Sequence, residues 1–248
     1  MWTETNRIVV VAAHPDDETI GMGAQLASLG VSLQDVTLIH VTDGAPRHRA
    51  DWKTYAQVRR AELLRAVSLA GIPPERCIDI GLPDQQASRN LIELSCHLSR
   101  LFDQLKPQII FTHAFEGGHP DHDATCFAVH HAACSARVVE FSSYHRAAVN
   151  ERIETGCFLE GAQIEIALTE EQKSLKRRMF DCFASQRETL EWFRIDHECF
   201  RRAPSYDFTR PPHSGRLFYE LFDWGVSPAE WLRLVRHARR VMESCLSR

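Results

Sequence analysis

Two short stretches of this chain concentrate side chains able to bind a metal ion and move protons: His14-Pro15-Asp16-Asp17-Glu18 and His119-Pro120-Asp121-His122-Asp123. Both offer imidazoles and carboxylates within a few positions, and neither contains cysteine. Two histidines and a carboxylate form a three-ligand set that leaves coordination positions open, as in catalytic zinc sites; structural zinc sites fill all four, usually with thiolates. His14 and Asp17 are three apart, so one turn of chain presents both to a single ion while Asp16 is directed elsewhere. From the second stretch either His119 or His122 completes the set and leaves the other for chemistry. A carboxylate outside the ligand set takes a proton from water whose pKa a catalytic zinc lowers to about 7. A nearby histidine protonates a leaving group or steadies an oxyanion, an effect worth roughly 10²–10⁴-fold in rate. These are the parts of a metal-dependent hydrolase.

Pro and Asp are also ordinary turn formers, so either stretch alone reads equally well as a hydrated turn. The elements around them argue otherwise. Short, β-branched apolar runs at 8–12, 36–41, 77–80 and 108–112 predict strands buried on both faces. Helices are expected at about 23–29, 54–70 and 90–105. The second carries an apolar stripe of Val58, Ala61, Leu64, Ala66, Val67 and Ala70 and stops at Gly71. Strands alternating with helices predict right-handed βαβ units and a parallel sheet. Both polar stretches follow a strand and precede a helix, the second inside a loop at 113–123 before a helix at about 124–134. Both therefore leave the carboxyl edge of the sheet, where α/β proteins bind ligands. If the first and fourth strands are neighbours, the stretches converge. Glu18 has no assigned role beyond favouring a helix start or supporting a ligand.

Past residue 137 the rhythm changes. Strands are expected at 138–144 and 163–168, then a helix N-capped by Thr169 with Gln172 at its third position, running to about 184. Short elements follow around 188–194, then a proline-rich loop at 204–214, a last strand at 217–221 and a helix from Pro228 to about 246. The expected fold is α/β: a doubly wound, Rossmann-like, mostly parallel sheet with a less regular C-terminal third. It reads as one domain over 1–248, with βα units to 135 and a part from 136 that shapes the substrate site.

Bulk properties narrow the partners. With 248 residues, a net charge of −4 and a pI near 6.3, the chain has no electrostatic footprint for nucleic acid. No apolar run approaches the length of a membrane span. The first residues lack a signal peptide's basic start, so a cytoplasmic location is expected. None of the eight cysteines forms a C-x-x-C pair, and most, Cys96 and Cys126 included, read as small hydrophobes bearing reduced thiols. The expected partner is a small molecule; homo-oligomerisation is left open.

Ala13-His14-Pro15-Asp16-Asp17-Glu18 after an N-terminal strand, with His119-Pro120-Asp121-His122 about a hundred residues on, resembles the PIG-L/LmbE-like superfamily of zinc-dependent N-deacetylases, which act mostly on N-acetylglucosamine conjugates. Thr42-Asp43-Gly44, Arg59-Arg60-Ala61-Glu62-Leu63, Gly81-Leu82-Pro83-Asp84 and, more weakly, the segment from Lys176 to Ser185-Gln186 extend the likeness over about 190 residues. The resemblance implies that His14, Asp17 and His122 bind zinc and that Asp16 is the general base activating water held by it. His119 would stabilise the tetrahedral intermediate or protonate the departing amine, with Asp121 orienting it, and Arg59 and Asp84 would hold the sugar. The aromatic C-terminal third, with Trp192, Tyr206, Trp224 and Trp231, follows no family pattern.

The implied activity is hydrolysis of an N-acetyl group from an amino-sugar conjugate, with acetate released. Iron(II) accepts the same ligands, so one alternative is a non-haem iron enzyme, although such enzymes usually present His-x-Asp along a strand. The other is a non-catalytic metal- or nucleotide-binding module, for which Gly21-Met22-Gly23 supplies only half of a G-x-G-x-x-G loop.

Overall fold

The computed structural model of the protein describes residues 6–31, 35–133, 135–149 and 151–246. Cys134 and the first five residues, both part of the sequence reading, lie outside these, as does the side chain of Cys245.

The apolar runs form a seven-stranded sheet in the order β3-β2-β1-β4-β5-β9-β8. Its parallel part comprises β1 (Arg7–Ala12), β2 (Asp35–Pro46), β3 (Cys77–Asp84), β4 (Ile109–Thr112) and β5 (Arg137–Phe141). β9 (His197–Arg202) and β8 (Ile164–Ala167) extend it in the antiparallel sense, while β6 (Tyr144–Arg146) and β7 (Ile153–Thr155) pair separately. Alternate residues of β1 enter different cores, as the two-residue period of a strand dictates. Ile8 and Val10 pack with Leu26 of α1 (Asp17–Val31), Leu63 of α2 (Trp52–Leu69) and Met179 of α5 (Glu170–Asp181). Val9 and Val11 pack with Leu94 of α3 (Leu91–Leu105), Phe127 of α4 (Pro120–Ala132) and Trp231 of α7 (Pro228–Leu246). Helices thus cover both faces, the doubly wound arrangement. Among the described residues no helix is long and apolar enough to cross a membrane.

β1 pairs in parallel with both β2 and β4, Val10 opposite Leu38 and Phe111. The strand order therefore reverses between β1 and β4, which opens a crevice at their carboxyl ends.

Several elements differ from the sequence expectation. α1 begins at Asp17, not near 23, and is broken at Met22 (φ −152°, ψ 24°). Its first turn is too polar to show an apolar period, yet acidic groups there favour the helix N-terminus. The break is repaired by a buried pair from later in the chain. Glu198 accepts from the backbone N–H groups of Ala24 (2.9 Å) and Gln25 (3.0 Å), and Lys176 donates to Ile20 O (2.8 Å) and to Glu198 (2.8 Å). α4 likewise starts at Pro120, ahead of the expected 124, because His119 caps it and proline suits the first turn. In α2 the buried face holds Arg59, Glu62, Leu63, Ala66 and Val67, whereas Val58 is 40% exposed. The expected stripe was rotated because two charged residues turn inward to buried partners. The expected strand at 138–144 divides into β5 and β6. That at 217–221 is a 3-10 turn (Phe218–Leu221), and the strands the sequence did not reveal are β7 and β9. β9 reads His-Glu-Cys-Phe-Arg-Arg and is nonetheless buried at all but its last residue, its charged groups being paired. The capping box of Thr169 and Gln172 forms as expected. Cys96 is exposed, contrary to its reading as a buried hydrophobe; the six described cysteines are free thiols.

Removing one partner of a buried pair strands a charge and costs about 3–5 kcal/mol. Glu198→Ala, which also uncaps the second half of α1, should lose this much in urea unfolding; a loss below about 1 kcal/mol would contradict the role given to the pair.

Candidate metal centre and active-site cleft

His14 and Asp17 stand at the junction of β1 and α1, and His122 in the first turn of α4. Asp17 Oδ2 accepts from the backbone N–H of His14 (2.7 Å), so the turn that carries both residues is closed by one of them. Thr42, within β2, ties the same turn down, its N–H and hydroxyl both donating to Ala13 O at 2.9 Å. Gly44 lets the chain pass: its φ is +63°, and a Cβ there would sit 2.9 Å from Pro15 and 3.1 Å from Arg59. Gly118 is equally constrained, since a Cβ would lie 2.1 Å from Tyr144 O.

Donor atoms of three residues meet at this point. His14 Nδ1 is 3.1 Å from Asp17 Oδ2 and 3.3 Å from His122 Nε2, and His122 Nε2 is 3.2 Å from Asp17 Oδ1. Ligands of one tetrahedral ion with bonds of roughly 2.0–2.1 Å lie about 3.3 Å apart. The spacing of the three residues therefore suits a divalent ion, with one or the other oxygen of Asp17 turned to it. The far nitrogen of His14, Nε2, faces Asp84 Oδ1 (3.1 Å) and Asp121 Oδ2 (3.3 Å), the carboxylate backing that orients a ligating imidazole.

Electrostatics differ sharply among neighbours. Burial pushes the carboxyl of Asp16 up to about 7, although Arg59 opposes it. Asp17 is equally buried, but His122, His113 and His14 outweigh that penalty and hold it well below the usual carboxylate range. Burial lowers His122 and His119 to about 3, which favours the neutral form of both rings. His14 goes the other way: despite burial, Asp17, Asp121 and Asp84 raise it well above its ordinary value.

Each remaining residue named from sequence has a definite place. Asp16 Oδ2 receives Arg59 Nη2 (3.1 Å), and the same nitrogen donates to Pro15 O (2.9 Å). His119 caps α4, its Nδ1 accepting from the backbone N–H of Asp121 (3.1 Å), which leaves the proton on Nε2. That N–H is the link from Asp121 to His119. The carboxylate of Asp121 instead accepts from the backbone N–H groups of Gln85 (2.6 Å) and Ala87 (2.9 Å) as well as facing His14. Asp84 joins His14 in the wall of the cleft, and Arg59 lines it too. Glu18 does not reach the centre: it bonds His40 (3.0 Å) and the Thr19 hydroxyl (2.6 Å).

Other participants escaped the sequence reading. His113 stacks on His122 (ring centroids 4.0 Å, 15°) and accepts from Ala13 N at 3.0 Å. It is the first residue beyond β4, so the rule that drew attention to the second stretch applied to it as well. Tyr55, Tyr144, Gln186, Phe193 and Trp224 line a cavity of about 280 Å³ above the donors. Trp224 lies against His119 (4.3 Å between centroids), and Gln186 donates to Tyr55 Oη (2.6 Å). In the sequence Trp224 stands out only as an aromatic and Gln186 only as part of the weaker likeness, while Tyr55, Tyr144 and Phe193 do not stand out.

Residues 9–133 match the family model described as GlcNAc-PI de-N-acetylase, PIG-L. A 1D-myo-inositol 2-acetamido-2-deoxy-alpha-D-glucopyranoside deacetylase of Catenulispora acidiphila is 29% identical over 48% of this chain and 46% of its own. The chain spans about half the length of the curated relatives it matches. The A40926 pseudoaglycone deacetylase Dbv21 superposes with a TM-score of 0.61 at 17% identity, covering 82% of this chain and all of that one (100%). The N,N'-diacetylchitobiose deacetylase of Pyrococcus horikoshii does so with a TM-score of 0.56 at 18% identity, covering 82% and 85%. At these identities the superpositions establish the shared fold.

Metal removal tests the centre directly. Chelator-treated protein should regain one equivalent of zinc here, and Asp17→Asn or His122→Ala should lose that equivalent. Asp84→Asn, which faces the far nitrogen of His14, should weaken it about 10–100-fold in chelator competition.

Proposed function

We propose that this chain, which belongs to the PIG-L (GlcNAc-PI de-N-acetylase) family, removes the acetyl group from an N-acetylglucosamine-type conjugate by metal-dependent hydrolysis. The observation that carries this reading is the convergence of His14 Nδ1, Asp17 and His122 Nε2 within 3.1–3.3 Å of one another on the floor of a cleft, with Asp16 beside them. A divalent ion held there, zinc in our reading and iron(II) by the same ligands, supplies Lewis-acid polarisation of the amide carbonyl and acidifies water.

The chain's own groups do the rest. Asp16, fixed through Oδ2 by Arg59, takes the proton of the attacking water on Oδ1 and passes it to the departing amine. His119, held by the Asp121 N–H so that its Nε2–H points onward, donates to the oxyanion that develops on the acetyl carbonyl. Asp84 and Asp121 keep the His14 ring in register. Arg59 and Asp84 also stand where sugar hydroxyls can bond to them, and Trp224 offers a flat indole for the apolar face of a pyranose. The relatives named above are deacetylases of an inositol 2-acetamido-2-deoxy-glucopyranoside, of the A40926 pseudoaglycone and of N,N'-diacetylchitobiose; the first and last are acetylated amino sugars in different attachments, which supports that substrate class here.

A dinucleotide-binding role is disfavoured by the residues at the β1–α1 turn. A pyrophosphate would sit against Asp16, Asp17 and Glu18, where like charges repel it.

Acetate release from a panel of N-acetylglucosamine conjugates, with zinc or iron(II) returned to chelated protein, tests the proposal. Fully metallated protein inactive on every member would refute it. Asp16→Asn should lower kcat about 10²–10⁴-fold while metal content stays the same. Trp224→Ala should raise KM roughly tenfold, equivalent to about 1.4 kcal/mol, with a smaller effect on kcat.

A further inference from the structure

The small β6–β7 ribbon carries a second group of metal-ligating side chains that the proposed hydrolysis does not use. His145 of β6 pairs across the ribbon with Glu154 of β7, and Cys157 follows two residues after the strand ends. The donor atoms of the three lie within 4.8 Å of one another. His145 Nε2 is 3.5 Å from Glu154 Oε2, and Cys157 Sγ is 3.8 Å from the same oxygen. Around one tetrahedral ion, with Zn–N and Zn–O bonds of roughly 2.0–2.1 Å and a Zn–S bond of about 2.3 Å, such atoms stand about 3.3–3.6 Å apart.

A second observation is independent of this spacing. His145 is fully buried, and neither ring nitrogen makes a hydrogen bond. Leaving a buried polar atom unpaired costs about 1–3 kcal/mol, so such a ring calls for a partner. Its other nitrogen, Nδ1, faces Glu116 Oε2 at 3.5 Å, and Glu116 is itself fixed by the N–H of Leu159 (2.7 Å). Carboxylate, imidazole and donor cluster thus stand in the order in which a ligating histidine is normally backed, the same order seen for Asp84 and His14 in the cleft. The remaining side is open to solvent through Glu154, whose side chain is 39% exposed.

We propose that His145, Glu154 and Cys157 form a second metal site, with the remaining coordination position left to solvent, that takes zinc or a similar thiophilic divalent ion. The site has a mechanical purpose. A two-stranded ribbon is marginal alone, yet this one carries Tyr144 into the wall of the cleft and packs against Gly118 in the loop that leads to His119. An ion there clasps both strands of the ribbon, with Glu116 of the same loop behind it. Burial first, then Glu154 and Glu116, push the Cys157 thiol up to about 11, so binding releases its proton and tightens as pH rises.

Cobalt(II) is the probe, because the cleft set contains no sulfur. Chelator-treated protein should bind two equivalents, one with a thiolate-to-cobalt charge-transfer band in the near ultraviolet that zinc displaces. The band should persist in His122→Ala and vanish in Cys157→Ser. Glu154→Gln, at a partly exposed position, should likewise lose this equivalent and stands in should the serine variant misfold. Zinc should also raise the Tm of His122→Ala and leave that of His122→Ala with Cys157→Ser unchanged. Binding of a single equivalent, no thiolate band, or a band undiminished in Cys157→Ser would overturn the proposal.

Discussion

The parallel pairing of β1 with β4 is the constraint on which the rest of this molecule depends. It brings two strand-to-helix junctions, more than a hundred residues apart in the chain, to one point on the sheet's carboxyl edge. Asp17 at the start of α1 and His122 in the first turn of α4 then meet, and the turn after β1 adds His14. Both helices point their positive ends at the same place, which suits the carboxylates gathered there. Much of the surrounding structure serves this junction: Thr42 holds Ala13, Asp121 gathers the backbone at Gln85 and Ala87, and Gly44 lets Pro15 and Arg59 approach.

Two adjacent carboxylates illustrate how environment divides labour. Asp16 and Asp17 are both buried, yet one is raised to about 7 and the other driven far down. The difference lies in what they face: a single guanidinium for Asp16, three imidazoles for Asp17. Groups pushed apart in this way suit the division proposed here, proton transfer for Asp16 and ligation for Asp17, without any change of residue type. His119 and His122 lie three apart on one helix turn and are both kept neutral by burial. They differ instead in which nitrogen is committed: Nδ1 of His119 to the backbone of its own helix, Nε2 of His122 to the cluster.

The C-terminal third completes the site from outside. β9 supplies Glu198, which with Lys176 of α5 mends the break in α1; without that repair the helix carrying Asp17 at its start would leave buried backbone groups unpaired. Tyr144, Gln186, Phe193 and Trp224 arrive from four separate segments to wall the cleft. Anchoring of these segments is therefore part of how the site is built. The buried Glu140–Arg201 pair between β5 and β9 and the ribbon cluster at His145 act at that level.

The sequence by itself determined the alternation of strands and helices in the first half, because buried parallel strands and amphipathic helices leave local periods. It also determined which two turns hold the concentrated His and Asp residues, since such groups after apolar strands stand out locally. The capping box at Thr169 was legible for the same reason. Tertiary structure alone decided the rest. The inward turn of Arg59 and Glu62, the burial of polar β9, the early starts of α1 and α4, and the roles of His113, Asp84 and Glu18 all depend on partners distant in the chain. A charged residue reads as solvated until its counter-charge is located, and that location follows from strand order, which no local period encodes.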